Sequence, residues 1–266
     1  MDLSITEKKI VEKEQKLIGH IKFDQVSFKF PGAEEEVLKN ISFESGPGEV
    51  TAIIGATGTG KSTLLNLIPR FYDATKGTIY VDSINIKDYQ LMNLRKKIGY
   101  VPQKAFLFSG TISDNLLFGN NLASNDNLEE AAMTAQAYDF IMEKQDGFEY
   151  KISQGGTNVS GGQKQRLSIA RAIVRDPEIY LFDDSFSALD YKTDAELRKT
   201  LINKSIHSTI IMVAQRVSTI INADRILVLD KGECVGIGKH EDLLKSCKVY
   251  KEIVSSQNLG SEGENE

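Results

Sequence analysis

Apolar and polar positions alternate through HIKFDQVSFKF (20–30), EVLKNISFES (36–45) and GTIYVDSINI (77–86), with Gly, Pro and Asn turn signals between them. That period predicts strands with one face buried, and so an antiparallel sheet early in the chain. EVTAIIG (49–55) is instead an apolar run ending in glycine, and KSTLLNLI (61–68) has helical spacing closed by Pro69. From about 110 to 150 the pattern changes: NLEEAAMTAQAYDFIMEK is helix-forming and carries no strand signal, which predicts an inserted helical lobe. A helix from Ser160 to Arg175 follows, stopped by Asp176-Pro177, and then two buried-type strands, IYLF and TIIMVA. RILVLD and ECVGIG form a hairpin about Lys231-Gly232. Apolar runs alternating with helices predict an α/β fold, its mainly parallel sheet covered on both faces with the antiparallel part beside it.

The ends differ from the body. Residues 1–19 are rich in Lys and Glu and are expected to be a linker or a solvated helix. Residues 255–266 are polar and acidic, an expected disordered tail, which leaves 20–254 as one folded domain with a helical subdomain at about 110–172. A length of 266 residues with 41% hydrophobic content suits one such domain. A net charge of -5 offers no general attraction for nucleic acid. Two cysteines, Cys234 and Cys247, are too few for a disulfide framework and suit a reducing compartment. No stretch approaches the roughly 18 to 20 apolar residues of a membrane-spanning helix, so work at a membrane would need an anchor from another polypeptide or a further part of this one.

Chemistry enters at GATGTGKS (55–62), which fits G-x-x-x-x-G-K-[ST] between the strand and helix that pattern requires. Glycines let successive N–H groups of Gly55, Ala56, Thr57, Gly58, Thr59 and Gly60 curl inward toward phosphate oxygens, with Thr63 in the first turn of the following helix. Lys61 then meets β- and γ-phosphate charge, and the Ser62 hydroxyl is a magnesium ligand. The site's other half should be an acidic residue ending a neighbouring apolar strand, and Asp183 after IYLF fits.

With VSGGQKQR (159–166) ahead of that strand, the sequence resembles the ATP-binding cassette (ABC) ATPase family over nearly the whole folded body. The resemblance implies a P-loop NTPase core with an N-terminal antiparallel β subdomain and an inserted helical subdomain, and ATP and Mg2+ as ligands. It also implies a second nucleotide-binding domain stacked head to tail, so that Ser160, Gly161, Gly162 and Gln163 complete the partner's site. Taken alone, SGGQ is a helix N-cap with a glycine-rich entry.

Other motifs keep the family's order. Phe30 stands where an aromatic stacks on adenine, usually Tyr, although a core aromatic on a strand is an equal reading of the residue. Gln103 matches the loop glutamine that reaches magnesium and senses a membrane partner. SALD (187–190) matches the segment crossing the dimer interface, with Asp190 at its end; a helix N-terminal turn is the plainer alternative. The stretches ending TISDNLLFG and KISQGGTNVSGGQ are similar to the exporter branch, although the latter lacks the Glu usual near Gln154.

Two positions depart from the family. The residue after the magnesium aspartate is usually a glutamate that polarises the attacking water, and Gln215 stands where a histidine usually contacts the γ-phosphate. Asp184 is one methylene short, about 1.5 Å, and a displacement of that size costs about a hundredfold in rate. Gln215 can donate a hydrogen bond but cannot titrate. The chain thus resembles the degenerate half of heterodimeric multidrug exporters. The expected function is an ATPase domain coupled to the transmembrane domain of an exporter at the cytoplasmic face of the membrane, weak alone, with a competent Glu and His supplied by its partner. A homodimer in which Asp184 works as the base, and a soluble nucleotide-gated clamp, are the rival expectations.

Overall fold

The computed structural model describes residues 18–262; residues 1–17 of the expected linker and 263–266 of the expected tail lie outside them. In chain order the elements are β1 (Ile21–Phe28), β2 (Leu38–Ser45), β3 (Val50–Ile54), α1 (Lys61–Leu67), β4 (Lys76–Val81), β5 (Ile84–Asn85), α2 (Leu91–Lys96) and β6 (Ile98–Val101). Next come β7 (Gly110–Thr111), α3 (Ile112–Leu117), α4 (Asn125–Thr134), α5 (Tyr138–Met142), β8 (Lys151–Ile152), α6 (Gly161–Val174) and β9 (Ile179–Asp183). The chain closes with α7 (Tyr191–Lys204), β10 (Thr209–Val213), α8 (Val217–Ile220), β11 (Arg225–Asp230), β12 (Glu233–Gly238), α9 (His240–Ser246) and α10 (Lys248–Glu262).

The predicted antiparallel part is a four-stranded sheet in the order β2-β1-β4-β5. The main sheet has six strands in the order β12-β11-β3-β10-β9-β6, parallel throughout except for the β11/β12 hairpin. Lys231 and Gly232 at that hairpin's tip both have positive φ, 47° and 83°, as a right-twisted two-residue turn requires. Every residue of β3, β9 and β10 is buried, so these strands could sit only inside a sheet covered on both sides.

Period two then divides the core. Ala52, Ile54, Phe182, Met212 and Val228 face the helical side, where α3 to α7 pack. Ile53, Leu181, Ile211, Val213 and Leu227 face α1 and the antiparallel sheet. Registers Ile53↔Val213 and Asp183↔Val213 bring the carboxyl ends of β3, β10 and β9 to one level. The loops leaving those three ends are where a ligand crevice opens in such sheets.

Helices occupy the stretch 127–144 as its pattern predicts, in two pieces, α4 and α5, with Gln136 at φ 54° between them. The two-residue strand β7, at the start of the lobe, pairs with β8. Residues 255–262 continue α10 in place of the disorder expected from their polarity, held in part by hydrogen bonds from Gln257 to the segment after β10. At the other end, the Gly19 carbonyl accepts the Thr209 hydroxyl at 2.6 Å, so the chain is tied to the main sheet before β1 begins.

Candidate nucleotide site

A cavity of about 240 Å³ opens over the ends of β3, β9 and β10, lined by Thr57, Gly58, Gly60, Lys61, Ser62 and Thr63 along one side. Gln103, Asp184, Val213, Gln215 and Val37 complete it. The loop's tightness explains its glycines. A Cβ on Gly55 would collide with the Leu229 carbonyl, and Gly60, at φ 96°, would bring one to 2.8 Å from Leu38. Thr59 is buried, its hydroxyl donating to the Ala56 carbonyl at 2.9 Å, which pins the curl from inside.

Lys61 Nζ lies across this loop, donating to the carbonyls of Gly55 and Ala56 at 2.7 Å each. Burial lowers its pKa, against the pull of Asp184 and Asp183. The ammonium is therefore pre-positioned beside the curl that presents its N–H groups. The Ser62 hydroxyl donates to Asp183 Oδ1 at 2.7 Å. Burial pushes the Asp183 carboxyl up, opposed by that Ser62 bond, and the neighbouring Asp184 charge adds to the rise. A 5% exposed carboxylate joined to the Ser62 hydroxyl, which itself lines the cavity, is the hard oxygen pair that Mg2+ takes together with phosphate oxygens. The residues fit magnesium.

The second aspartate is held differently. Asp184 has φ 47°, a left-handed conformation that aspartate tolerates better than most residues, and its N–H donates to the Val213 carbonyl. Its Oδ2 accepts the Gln215 Nε2 at 2.6 Å and the Gln103 Nε2 at 3.0 Å. The two glutamines thus converge on one carboxylate oxygen, and Gln103 is brought to Asp184 by its amide nitrogen.

The signature residues lie apart from this cavity. Ser160 caps α6: its Oγ accepts the Gln163 N–H while the Gln163 side chain accepts the Ser160 N–H, the plain helix cap. Gly161 faces open space, and a Cβ on Gly162 would touch the Ala188 carbonyl, so this turn packs on SALD. Arg166, one turn further, donates to the Gln136 carbonyl at the α4/α5 break and stacks over Phe140 at 4.7 Å, tying α6 to the helical lobe. Asp190 is the N-cap of α7, accepting the Thr193 N–H at 3.0 Å, and that bond holds its carboxyl below the usual range. Phe30 stands in an aromatic cluster, edge-on to Phe28 at 4.8 Å and to Tyr72 at 5.3 Å, outside the cavity lining.

Sequence reasoning missed four features. Val37 lines the cavity from the loop between β1 and β2, and nothing in its surroundings signals that. Tyr100, at the end of β6, reaches both Asn66 and the Asp183 carboxyl; its place in a strand-end YVPQ next to Gln103 was the available signal. Gln257 was hidden in the presumed tail. Fourth, a groove of about 330 Å³ runs between β6 and α6, with Phe71, Phe106, Phe108 and Phe118 beside Arg95 and Arg171. Four phenylalanines at 40% to 60% exposure lining one groove are an apolar surface that no described residue covers. No helix among the described residues is long and apolar enough to cross a membrane.

Residues 38–187 match the family model described as ABC transporter. Over 248 residues the chain is 46% identical to an uncharacterized ABC transporter ATP-binding protein, YfiB, of Bacillus subtilis, covering 93% of this chain and 43% of that protein. Over 241 residues it is 43% identical to a Staphylococcus aureus protein provisionally named a multidrug export ATP-binding/permease protein, covering 91% and 42%. The structure of a bacterial Atm1-family ABC exporter with ATP bound superposes with a TM-score of 0.87 at 38% identity, again covering 91% of this chain and 42% of the other. The chain spans less than half the length of these relatives. A glycine loop, lysine, serine and aspartate gathered at the strand ends of this sheet, within a sequence so matched, leave one assignment: the chain belongs to the ABC transporter family.

Proposed function

We propose that this chain is the ATP-binding domain of an exporter, that its own cradle binds MgATP but turns it over slowly, and that its signature segment completes the site of a non-identical partner domain. The observation that carries this is the state of Asp184. A general base must reach the proton it removes, within hydrogen-bond distance of the attacking water. Here the shortened carboxylate has one oxygen taken up by two amides, and neither amide can accept or relay a proton as a histidine would.

The binding half keeps every charge it needs. Lys61 and the loop N–H groups meet the phosphates, Ser62 and Asp183 hold magnesium, and Gln215 can donate to a γ-phosphate oxygen. Magnesium, when bound, neutralises phosphate charge and orients the terminal phosphoryl group. Ser160 and Gly161 are exposed at the start of α6, with Gly162 and Gln163 half-buried beside them, and all four lie away from this chain's cavity, where they can face a second nucleotide across a head-to-tail dimer.

The apolar groove supports a membrane partner over the rival clamp. Its phenylalanine walls with Arg95 and Arg171 among them suit a short amphipathic helix from a transmembrane domain, and its lining includes Tyr100, which reaches Asp183, and Pro102, next to the Gln103 that donates to Asp184. Drugs as the transported compounds are suggested by the relatives named for multidrug export, with lipid-like molecules the other expectation; the choice between them would lie with membrane helices of the transporter. The test is a binding and turnover measurement on the chain alone. MgATP should bind stoichiometrically, with hydrolysis far below the enzyme median of about 10 per second. Turnover near that median, at concentrations where the chain is monomeric or self-paired, overturns the reading.

A further inference from the structure

α10 turns one stripe toward the core: Tyr250 is fully buried, and Ile253 and Val254 pack against the large cluster. One turn on, at Gln257, the stripe carries an amide where its period calls for an apolar residue. That amide has two specific partners. Its Nε2 donates to the Gln215 carbonyl at 2.7 Å, and its Oε1 accepts the Val217 N–H at 2.8 Å.

The segment it grips has no regular pairing of its own. β10 ends at Val213 and α8 begins at Val217, a helix whose N-cap, Arg216, offers no side-chain cap bond. The first N–H groups of a helix have no partner within it. Gln257 meets one of these from outside, and with its other end fixes the carbonyl of the residue whose side chain lies 2.6 Å from Asp184. The backbone of Gln215 is held from the α10 side and its amide from the Asp184 side, so displacement of either end tilts the other.

We infer that Gln257 is a positioning residue: by bracketing residues 215–217 it aims the Gln215 amide into the nucleotide cavity, and the C-terminal helix thereby sets the geometry of the turnover half of the site. The inference rests on the reading of Gln215 as a γ-phosphate contact. Loss of one net hydrogen bond corresponds to about a 2- to 10-fold change in an equilibrium. Because only ATP has the γ-phosphate, the effect should fall on ATP and spare ADP.

The experiment measures MgATP and MgADP dissociation constants by calorimetry for the 266-residue chain and its Gln257→Ala, Gln257→Glu and Gln215→Ala variants, with amide exchange at Val217 followed alongside. Expected for Gln257→Ala is a fall of about 2- to 10-fold in the preference for ATP over ADP, unchanged ADP affinity, and faster exchange at Val217 but not at Ile211 in mid-β10. Gln257→Glu keeps the acceptor for Val217 and loses the donor to Gln215, so the preference should fall while Val217 stays protected; this variant carries the test if the alanine variant does not fold. If Gln215→Ala lowers the ATP preference and both Gln257 variants leave it at the wild-type value, the positioning role is overturned and the γ-phosphate reading survives. A lower melting temperature with an unmoved ATP preference likewise overturns it, since helix docking alone would produce that. If Gln215→Ala is itself silent, the γ-phosphate reading falls and takes this inference with it.

Discussion

Asp183 and Asp184 are adjacent, equally buried at 5% and 6% exposure, and yet face opposite fates. The first is the last residue of β9, in extended backbone, and has a hydroxyl partner in Ser62 placed by a separate element, α1. The second has left the strand into a left-handed turn, and its partners are two glutamine amides from the loops after β6 and β10. One carboxylate pairs with a hydroxyl in a set that fits a cation, while the other has one oxygen held by two neutral donors. On the proposed roles, binding and turnover can be altered separately, because the residues for each arrive on different loops even where they are neighbours in sequence.

The largest expected effect breaks the contrast by restoring the second carboxylate. Asp184→Glu with Gln215→His should lengthen the base by a methylene and supply a titratable partner, and alignment of a general base contributes about 10² to 10⁴ in rate. Glu lacks the short side chain that helps Asp occupy a left-handed conformation, which costs an L-residue about 1 to 2 kcal/mol, so the comparison needs variants of equal folded fraction under conditions where a dimer forms. Single-turnover hydrolysis of bound MgATP measures it. No gain in a folded, dimeric double variant would mean that the two amides are not what slows the site.

A smaller effect tests the first half. Lys61→Ala removes a cation already desolvated over the loop and should weaken MgATP binding by about 10- to 100-fold, the worth of about 1.5 to 3 kcal/mol for a charge-assisted hydrogen bond. Calorimetric titration reads it directly. Binding unchanged by the substitution would detach the cradle from phosphate altogether.

How much of this was legible follows the same division. The cradle, Ser62 and Asp183 were legible because each needs a particular residue type at the end of a buried strand, and buried strands announce themselves by unbroken apolar runs. The parallel order was legible for the same reason, and the split of the core follows from period two. The Asp184 clamp was not: the sequence marks Asp184 and Gln215 as departures from a family pattern, but that their side chains meet, and that Gln103 joins them, depends on the register of β6, β9 and β10. Gln257 was hidden more deeply, since a polar tail composition masks one amide that completes a helical stripe. The break at Gln136 escaped because propensity summed over a window averages out a single left-handed residue.

The smallest effect sharpens the comparison from the stability side. Burial raises the Asp183 carboxyl pKa in the folded chain, so the folded state binds its proton more readily than the unfolded chain does. The sign follows: the cost of holding Asp183 charged is full above its raised folded pKa and disappears as pH falls through that value toward the unfolded carboxylate value of about 3.9. Asp183→Asn keeps the shape and an acceptor for the Ser62 hydroxyl while removing the charge. Without nucleotide it should therefore melt higher than wild type at neutral pH, and the advantage should shrink steadily toward pH 4. Magnesium-dependent ATP binding should be lost in the same variant, since function and stability are opposed where a buried charge is kept for a ligand. Thermal melts across pH 4 to 8, with and without MgATP, decide it: a gain independent of pH, or a variant still stabilised by MgATP as strongly as wild type, would show that Asp183 is an ordinary strand-end carboxylate and that the two aspartates do not differ in kind.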